Sequence, residues 1–193
     1  MKSKKIFVFL GHPDKETRSG SFADAYEKGA REAGHEVRRI NLGELSFDPI
    51  LHKGYKVIQD LEPDLVKVQE AFRWAEHVAI FHPIWFASMP ALMKGMFERM
   101  WLPAFAYRFG KKRFSLWQKL MKGRSATIYP SMYAPPFIEK ILYGDYTSTL
   151  KKGILGFAGF SVKVRPIGPM KMASERALAR HRARMERFGR KAK

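Results

Sequence analysis

The sequence has no cysteine, which excludes a disulfide framework, a thiolate metal site and a cysteine nucleophile. Long apolar runs are missing as well. Ile6-Phe7-Val8-Phe9-Leu10 follows a basic Met1-Lys2-Ser3-Lys4-Lys5 start but is too short for a signal-peptide core. No stretch approaches the roughly 20 apolar residues of a membrane span. The expectation is a cytoplasmic, soluble chain whose contact with any membrane is peripheral. Repeats and low-complexity linkers are absent. His12, His35, His52, His77, His82 and His181 are scattered, with no His-x-x-x-His pair, so no metal site is expected.

Acidic side chains are scarce in only one part of the chain. Residues 1–107 carry 15 Lys/Arg against 14 Asp/Glu, whereas residues 108–193 carry 21 against 4. The net charge of +18 therefore belongs almost wholly to the second half. Within it, Lys171 to Lys193 holds nine Lys/Arg against Glu175 and Glu186. Arg176, Arg180, Arg184 and Arg187 recur at helical spacing as one cationic stripe. A solvated helix face, an anionic membrane surface, nucleic-acid phosphates and the phosphates of NADPH all fit such a stripe. No helix-turn-helix, zinc-finger or RNA-binding sheet signature accompanies it, so nucleic acid is not expected as the primary partner.

With 193 residues, 46% hydrophobic and 13% aromatic, the chain is long enough and apolar enough for one compact domain. Residues 1–170 read as the domain and 171–193 as a basic terminal helix and tail. Ile6–Leu10 reads as a strand buried on both faces. Phe22, Ala23, Tyr26, Ala30 and Ala33 mark a helix that stops at Gly34. Further strands are expected at 36–40, 77–81, 125–129 and 160–164. Helices are expected around 65–75, from Pro90 to about Trp101, at 146–157 and at 174–188. Met89, Met93, Met96 and Met100 read as core or interface filler. Strands alternating with helices predict an α/β domain with a parallel sheet, whose ligand sits at the carboxyl ends of the strands. Three loops fall there: 11–21, 82–89 and 130–136.

The first loop joins a buried strand to a helix N-terminus, where free N–H groups favour a phosphate. Thr17, Ser19 and Ser21 add hydroxyls, while His12, Lys15 and Arg18 add positive charge. Ser19 or Ser21 would equally serve as a plain helix cap. In the second loop, Trp85 and Phe86 follow Pro83 directly after an interior strand. Large aromatics there form a platform for a flat heterocycle, or else pack in the core.

The ordered set His12-Pro13, Ser21-Phe22, Gly34-His35-Glu36-Val37 and Phe47-Asp48-Pro49 leads to a more specific block. It runs from Phe81 through Pro83-Ile84-Trp85-Phe86, Met89-Pro90-Ala91, Lys94-Gly95 and Glu98-Arg99 to Phe105-Ala106-Tyr107. Tyr143-Gly144-Asp145 and the stretch Ile154 to Phe160 continue it. This set resembles the flavodoxin-like NAD(P)H:quinone oxidoreductase family, over about residues 5–167.

The resemblance implies a flavodoxin-like, doubly wound five-stranded parallel sheet of order 2-1-3-4-5, with helices on both faces. It implies FMN or FAD as cofactor, NADH or NADPH as hydride donor, a quinone-like acceptor and a homodimer. The cofactor's phosphate end would lie on His12, Ser19, Ser21, Phe22 and Ala23. The ring would rest against Pro83, Ile84, Trp85 and Phe86, with Pro130, Ser131, Met132 and Tyr133 lining its other side. Met132, Tyr133, Pro135 and Pro136 depart from the small or hydroxyl residues usual in that third loop. Tyr107 and Phe109 match the family's aromatic pair near the ring and acceptor. Tyr143 and Phe137 stand where animal quinone reductases have a His that assists hydride transfer and a Tyr. A second reading is a flavin-binding regulatory subunit that docks on an acidic partner.

Overall fold

The structure, a computed structural model, describes residues 2–110 and 117–193. The basic run Lys111-Lys112-Arg113, part of the cationic second half, lies outside the described residues.

The strands are β1 (Lys5–Leu10), β2 (Glu36–Asn41), β3 (His77–Pro83), β4 (Tyr107–Arg108), β5 (Gln118–Lys119), β6 (Ser125–Ser131) and β7 (Ser161–Val164). Five of them form a parallel sheet of order β2-β1-β3-β6-β7. Since β4 and β5 form a separate antiparallel pair, this is the expected 2-1-3-4-5 order. The helices are α1 (Arg18–Glu32), α2 (Pro63–Trp74), α3 (Ala91–Met100), α4 (Pro136–Tyr143) and α5 (Glu175–Arg190). Among the described residues, no helix is long and apolar enough to cross a membrane.

Alternation along the central strands splits the core in two. Phe7, Phe9, Val78, Ile80, Ala126 and Ile128 face one layer, filled by α2, α3 and the segment near residue 155. Ile6, Val8, Leu10, Ala79, Phe81 and Tyr129 face the other, filled by α1 and α5. Both faces of β1 and β3 are covered, which is why these strands read as unbroken apolar runs. The methionines of α3 and its entry loop lie in the first core.

α5 packs on α1 in the same direction. Phe22 meets His181 near their starts, and the Arg190 guanidinium reaches Glu32 near their ends. Between them the backbones nearly touch. A Cβ on Gly29 would lie 2.1 Å from the Glu186 carbonyl, and one on Gly189 would lie 2.0 Å from the Tyr26 carbonyl. With Leu178, Met185 and Ala192 in the second core, the basic terminal segment is an inner layer of the sheet as well as a cationic surface.

Three elements differ from the sequence expectation. α1 starts at Arg18, with Thr17 as its cap: the Thr17 hydroxyl accepts from the Gly20 N–H at 3.2 Å. The segment expected as a helix over 146–157 is π-helical over Thr149–Gly156. α4 follows directly on the 130–136 loop, where no element was expected, and none of its residues is buried.

One buried charge organises the far side of the sheet. Arg99, 1% exposed, donates through Nη2 to Glu62 Oε2 at 3.0 Å and to the Asp60 carbonyl at 2.7 Å. Its Nη1 reaches Glu62 Oε1 at 3.1 Å and the Asp48 carbonyl. Burial alone would raise the Glu62 carboxyl, but the guanidinium holds it below the usual range. The loop from Asp48 to Glu62 is thereby tied to α3.

Candidate active site

At the carboxyl edge of the sheet, a cavity of about 370 Å³ opens between the loops after β1, β3, β6 and β7. That volume falls inside the usual range for small-molecule sites. His12, Thr17, Arg18, Ser19, Ser131 and Lys171 form its polar wall, and Pro83, Ile84, Trp85, Met132, Tyr133 and Met170 its apolar one.

The polar wall follows from how α1 begins. With Thr17 committed to the cap, Ser19 turns inward, and its Oγ lies 2.8 Å from Ser131 Oγ. Gly20 lets the loop fold back on the helix, since a Cβ there would sit 1.9 Å from the Lys15 carbonyl. His12 accepts the Asp14 N–H on Nδ1 at 2.9 Å, which leaves Nε2–H as a donor in the neutral ring. The Arg18 guanidinium donates to the Met170 carbonyl, joining the first and last of the four loops.

The apolar wall depends on a tight reversal. Trp85 and Ser88 exchange both backbone hydrogen bonds, at 2.9 and 3.0 Å. Phe86 and Ala87 between them have φ of 49° and 59°. This is a type I′ geometry, which favours glycine or asparagine, yet here it holds two ordinary side chains at about 1–2 kcal/mol each. The turn sets Trp85 edge-on to His12, ring centroids 5.3 Å apart, and leaves Phe86 fully exposed. The N–H groups of Ile84 and Trp85 are taken up by the Ser131 and Ser88 carbonyls.

The structure thus brings His12, Ser19, Pro83, Ile84, Trp85, Ser131, Met132 and Tyr133 together. Other expected site residues lie elsewhere. Phe22 and Ala23 are fully buried on the inward face of α1, and Ser21 Oγ donates back to the Arg18 carbonyl. Pro130 sits inside β6, and Phe86 is beyond the cavity wall. Tyr107 packs edge-on against Phe109 and Phe157 in the hairpin region. Phe137 and Tyr143 are exposed on α4.

Met170 and Lys171 were not legible as wall residues. They arrive because β7 extends past its end. Met132 N–H donates to the Ile167 carbonyl, and Met170 N–H donates back to the Met132 carbonyl. The rule that ligands sit at strand carboxyl ends applied to that last loop too, and was the one available signal.

A flavin mononucleotide fits the donor chemistry. The hydroxyl and cationic wall suits a phosphate and a polyol chain, and the Trp85 wall suits a flat ring. Among the described residues, no cluster of His, Asp or Glu could hold a metal ion.

The family described by the flavodoxin-like fold matches residues 4–188. NAD(P)H dehydrogenase [quinone] 1 of Rattus norvegicus is 24% identical over 189 residues, covering 84% of this chain and 67% of that protein. The chain spans 60% to 70% of the length of the first curated relatives it matches. The solved NAD(P)H:quinone oxidoreductase from Methanothermobacter marburgensis superposes with a TM-score of 0.79 at 21% identity, each chain fully covered. An FMN-dependent NADH-azoreductase from Bacillus anthracis, solved in complex with FMN, gives 0.74 at 14% identity, covering 97% of this chain and 98% of that one. With a match that runs from β1 through most of α5, the chain belongs to the flavodoxin-like fold family.

Proposed function

We propose that this protein is an FMN-dependent NAD(P)H oxidoreductase that reduces quinone-like acceptors by two electrons. The observation that carries the reading is the two-sided cavity, cationic and hydroxylated at one end and aromatic at the other. The oxidoreductase names of its relatives support the enzymatic reading over a purely regulatory one.

When bound, the flavin supplies hydride uptake from NAD(P)H and delivery to the acceptor; the chain supplies position and environment. Ser19, Ser131 and Arg18 hold the phosphate and polyol end. His12 Nε2–H donates at the mouth of the same wall. Trp85, held by the Phe86-Ala87 turn, fixes the plane of the ring, and Met132 with Tyr133 closes the other side. The mononucleotide is favoured over FAD because the described walls end at Lys171 and Tyr133, with no second aromatic slot among the cavity residues.

A homodimer belongs to this reading. Ile50, Tyr55, Val57, Ile58 and Phe109 are exposed apolar side chains, and Tyr55 is near enough to Tyr107 to help, after burial, in raising its hydroxyl pKa. On that face a second copy would be met by Tyr107 and Phe109, which lie outside the cavity of their own chain.

The purified protein is expected to be yellow, or to become so with FMN, and to oxidise NADH or NADPH when a benzoquinone is added. A colourless protein that FMN and FAD cannot reconstitute would refute the proposal. Trp85→Ala should weaken FMN retention about tenfold, the loss of one aromatic stacking partner at roughly 1–1.5 kcal/mol. Tyr107→Ala should leave retention unchanged and raise the acceptor KM. Equal FMN affinity in wild type and Trp85→Ala would remove Trp85 from the assigned platform.

A further inference from the structure

α4 is an amphipathic helix turned inside out. Phe137, Ile138, Ile141 and Leu142 recur at i, i+1, i+4 and i+5, so they share one face. That face points to solvent, with Ile141 78% and Leu142 65% exposed. Helices on globular surfaces bury their apolar stripe against the core, and a contiguous exposed one marks an interaction surface.

The surroundings indicate its partner. Between residues 131 and 160 the acidic side chains are Glu139, which is half-buried, and Asp145. The Asp145 carboxylate is occupied by the Thr147 hydroxyl at 2.7 Å and the Thr147 N–H. Lys140 is exposed on α4 itself, and Lys151 and Lys152 follow in the π-helical segment. Apolar face and lysines together match an interfacial helix on an anionic bilayer. On this face a second copy of the chain is a poorer match, because it would bring the same lysines, Lys140, Lys151 and Lys152, with little carboxylate to pair them.

We infer that α4 docks the protein on anionic lipid, inserting Phe137, Ile138, Ile141 and Leu142 at the level of the headgroups while the lysines engage lipid phosphates. Location gives this a use. α4 starts three residues after Tyr133, a wall of the cavity, so docking sets the cavity mouth beside the lipid phase where apolar quinones dissolve. Only that benefit rests on the quinone-reductase reading; lipid binding is independent of it.

The test is co-flotation of the full chain with phosphatidylcholine vesicles, with and without phosphatidylserine. Wild type should bind the phosphatidylserine vesicles at least tenfold better than the neutral ones, and raised salt should weaken that binding. Ile141→Asp with Leu142→Asp should abolish flotation, leaving the melting temperature and turnover of a water-soluble benzoquinone unchanged. Lys151→Glu with Lys152→Glu should reduce it several-fold and keeps the question open to experiment if the apolar variant misfolds. Wild type that stays with neither vesicle, or α4 variants that float as well as wild type, would overturn the inference. So would a wild-type dimer that Ile141→Asp splits into monomers without any lipid binding, since α4 would then be a subunit interface. Lipid binding by a protein with no quinone turnover would leave docking standing and remove the enzymatic reading.

Discussion

Between pH 6.5 and pH 4 the folded protein is expected to lose about 3 kcal/mol of stability for each of two buried imidazoles, His77 and His82. Burial lowers both to about 4; Lys4, Lys163 and His35 push His77 the same way, and the Pro83 carbonyl only partly opposes the effect at His82. Alternation in β3 places His82 on the face shared with Val78 and Ile80, where Gly11 lets it sit close. Its Nδ1 donates to the Pro83 carbonyl at 2.8 Å, and its Nε2 is buried with no partner. His77 Nδ1 pairs with Ser125 Oγ at 2.8 Å, and its Nε2 is likewise bare.

Protonating either ring would place an unpaired charge in the core, so the native state refuses the proton while the unfolded chain accepts it below 6.5. The unfolded state then binds more protons, and stability falls as pH falls through this window. The carboxylates held low by partners, such as Asp48 and Asp64, lose their contribution only further down. Denaturant midpoints measured from pH 7 to about 4.5 read the imidazole effect largely by itself. His82→Met should remove somewhat less than half of the slope, since His181, lowered by burial and by Arg184 and Arg180, adds to the same loss. A midpoint that does not move between pH 7 and 5 would show that both rings accept protons in the folded state.

Arg99→Ala should cost about 3 kcal/mol, because it strips a buried pair of its guanidinium and leaves two loop carbonyls without donors. For a chain of this length that corresponds to a fall of roughly 10 °C in Tm. Glu62 keeps some access to water, which holds the cost near the lower end for buried pairs. Arg99→Lys should recover less than half of the loss, since one ammonium cannot serve both Glu62 oxygens and the carbonyls of Asp48 and Asp60. Calorimetry of the three proteins at pH 7 settles it. A melting point within about 2 °C of wild type for Arg99→Ala would mean that the Asp48–Glu62 loop holds itself.

The central strands were legible because burial on both faces leaves a continuous apolar run, as in Phe7 to Leu10 and Val78 to Phe81. The start of α1 was not. Its first turn, Arg18-Ser19-Gly20-Ser21, serves the cavity and the solvent, so apolar periodicity begins only at Phe22. Family resemblance pointed to Phe22 and Ala23 as cofactor contacts, and the core claims both. α4 escaped notice for the opposite reason. Its apolar residues are well spaced for a helix, but two prolines precede them and only Glu139 and Lys140 mark a polar face. The Met170-Lys171 wall depends on a contact between the ends of β6 and β7, which no local pattern records.

The parallel packing of α1 and α5 has an electrostatic consequence. α1 starts at Arg18, itself a cavity residue, and α5 starts at Glu175, four residues after the cavity residue Lys171. Each start carries about half a positive charge from its aligned peptide dipoles. At α1, whose first turn lines the cavity, that potential is fixed in direction and insensitive to titration, while the Glu175 carboxylate in the first turn of α5 offsets the second start. An anionic end group is drawn there by the fold itself, before any of the 36 basic side chains is counted.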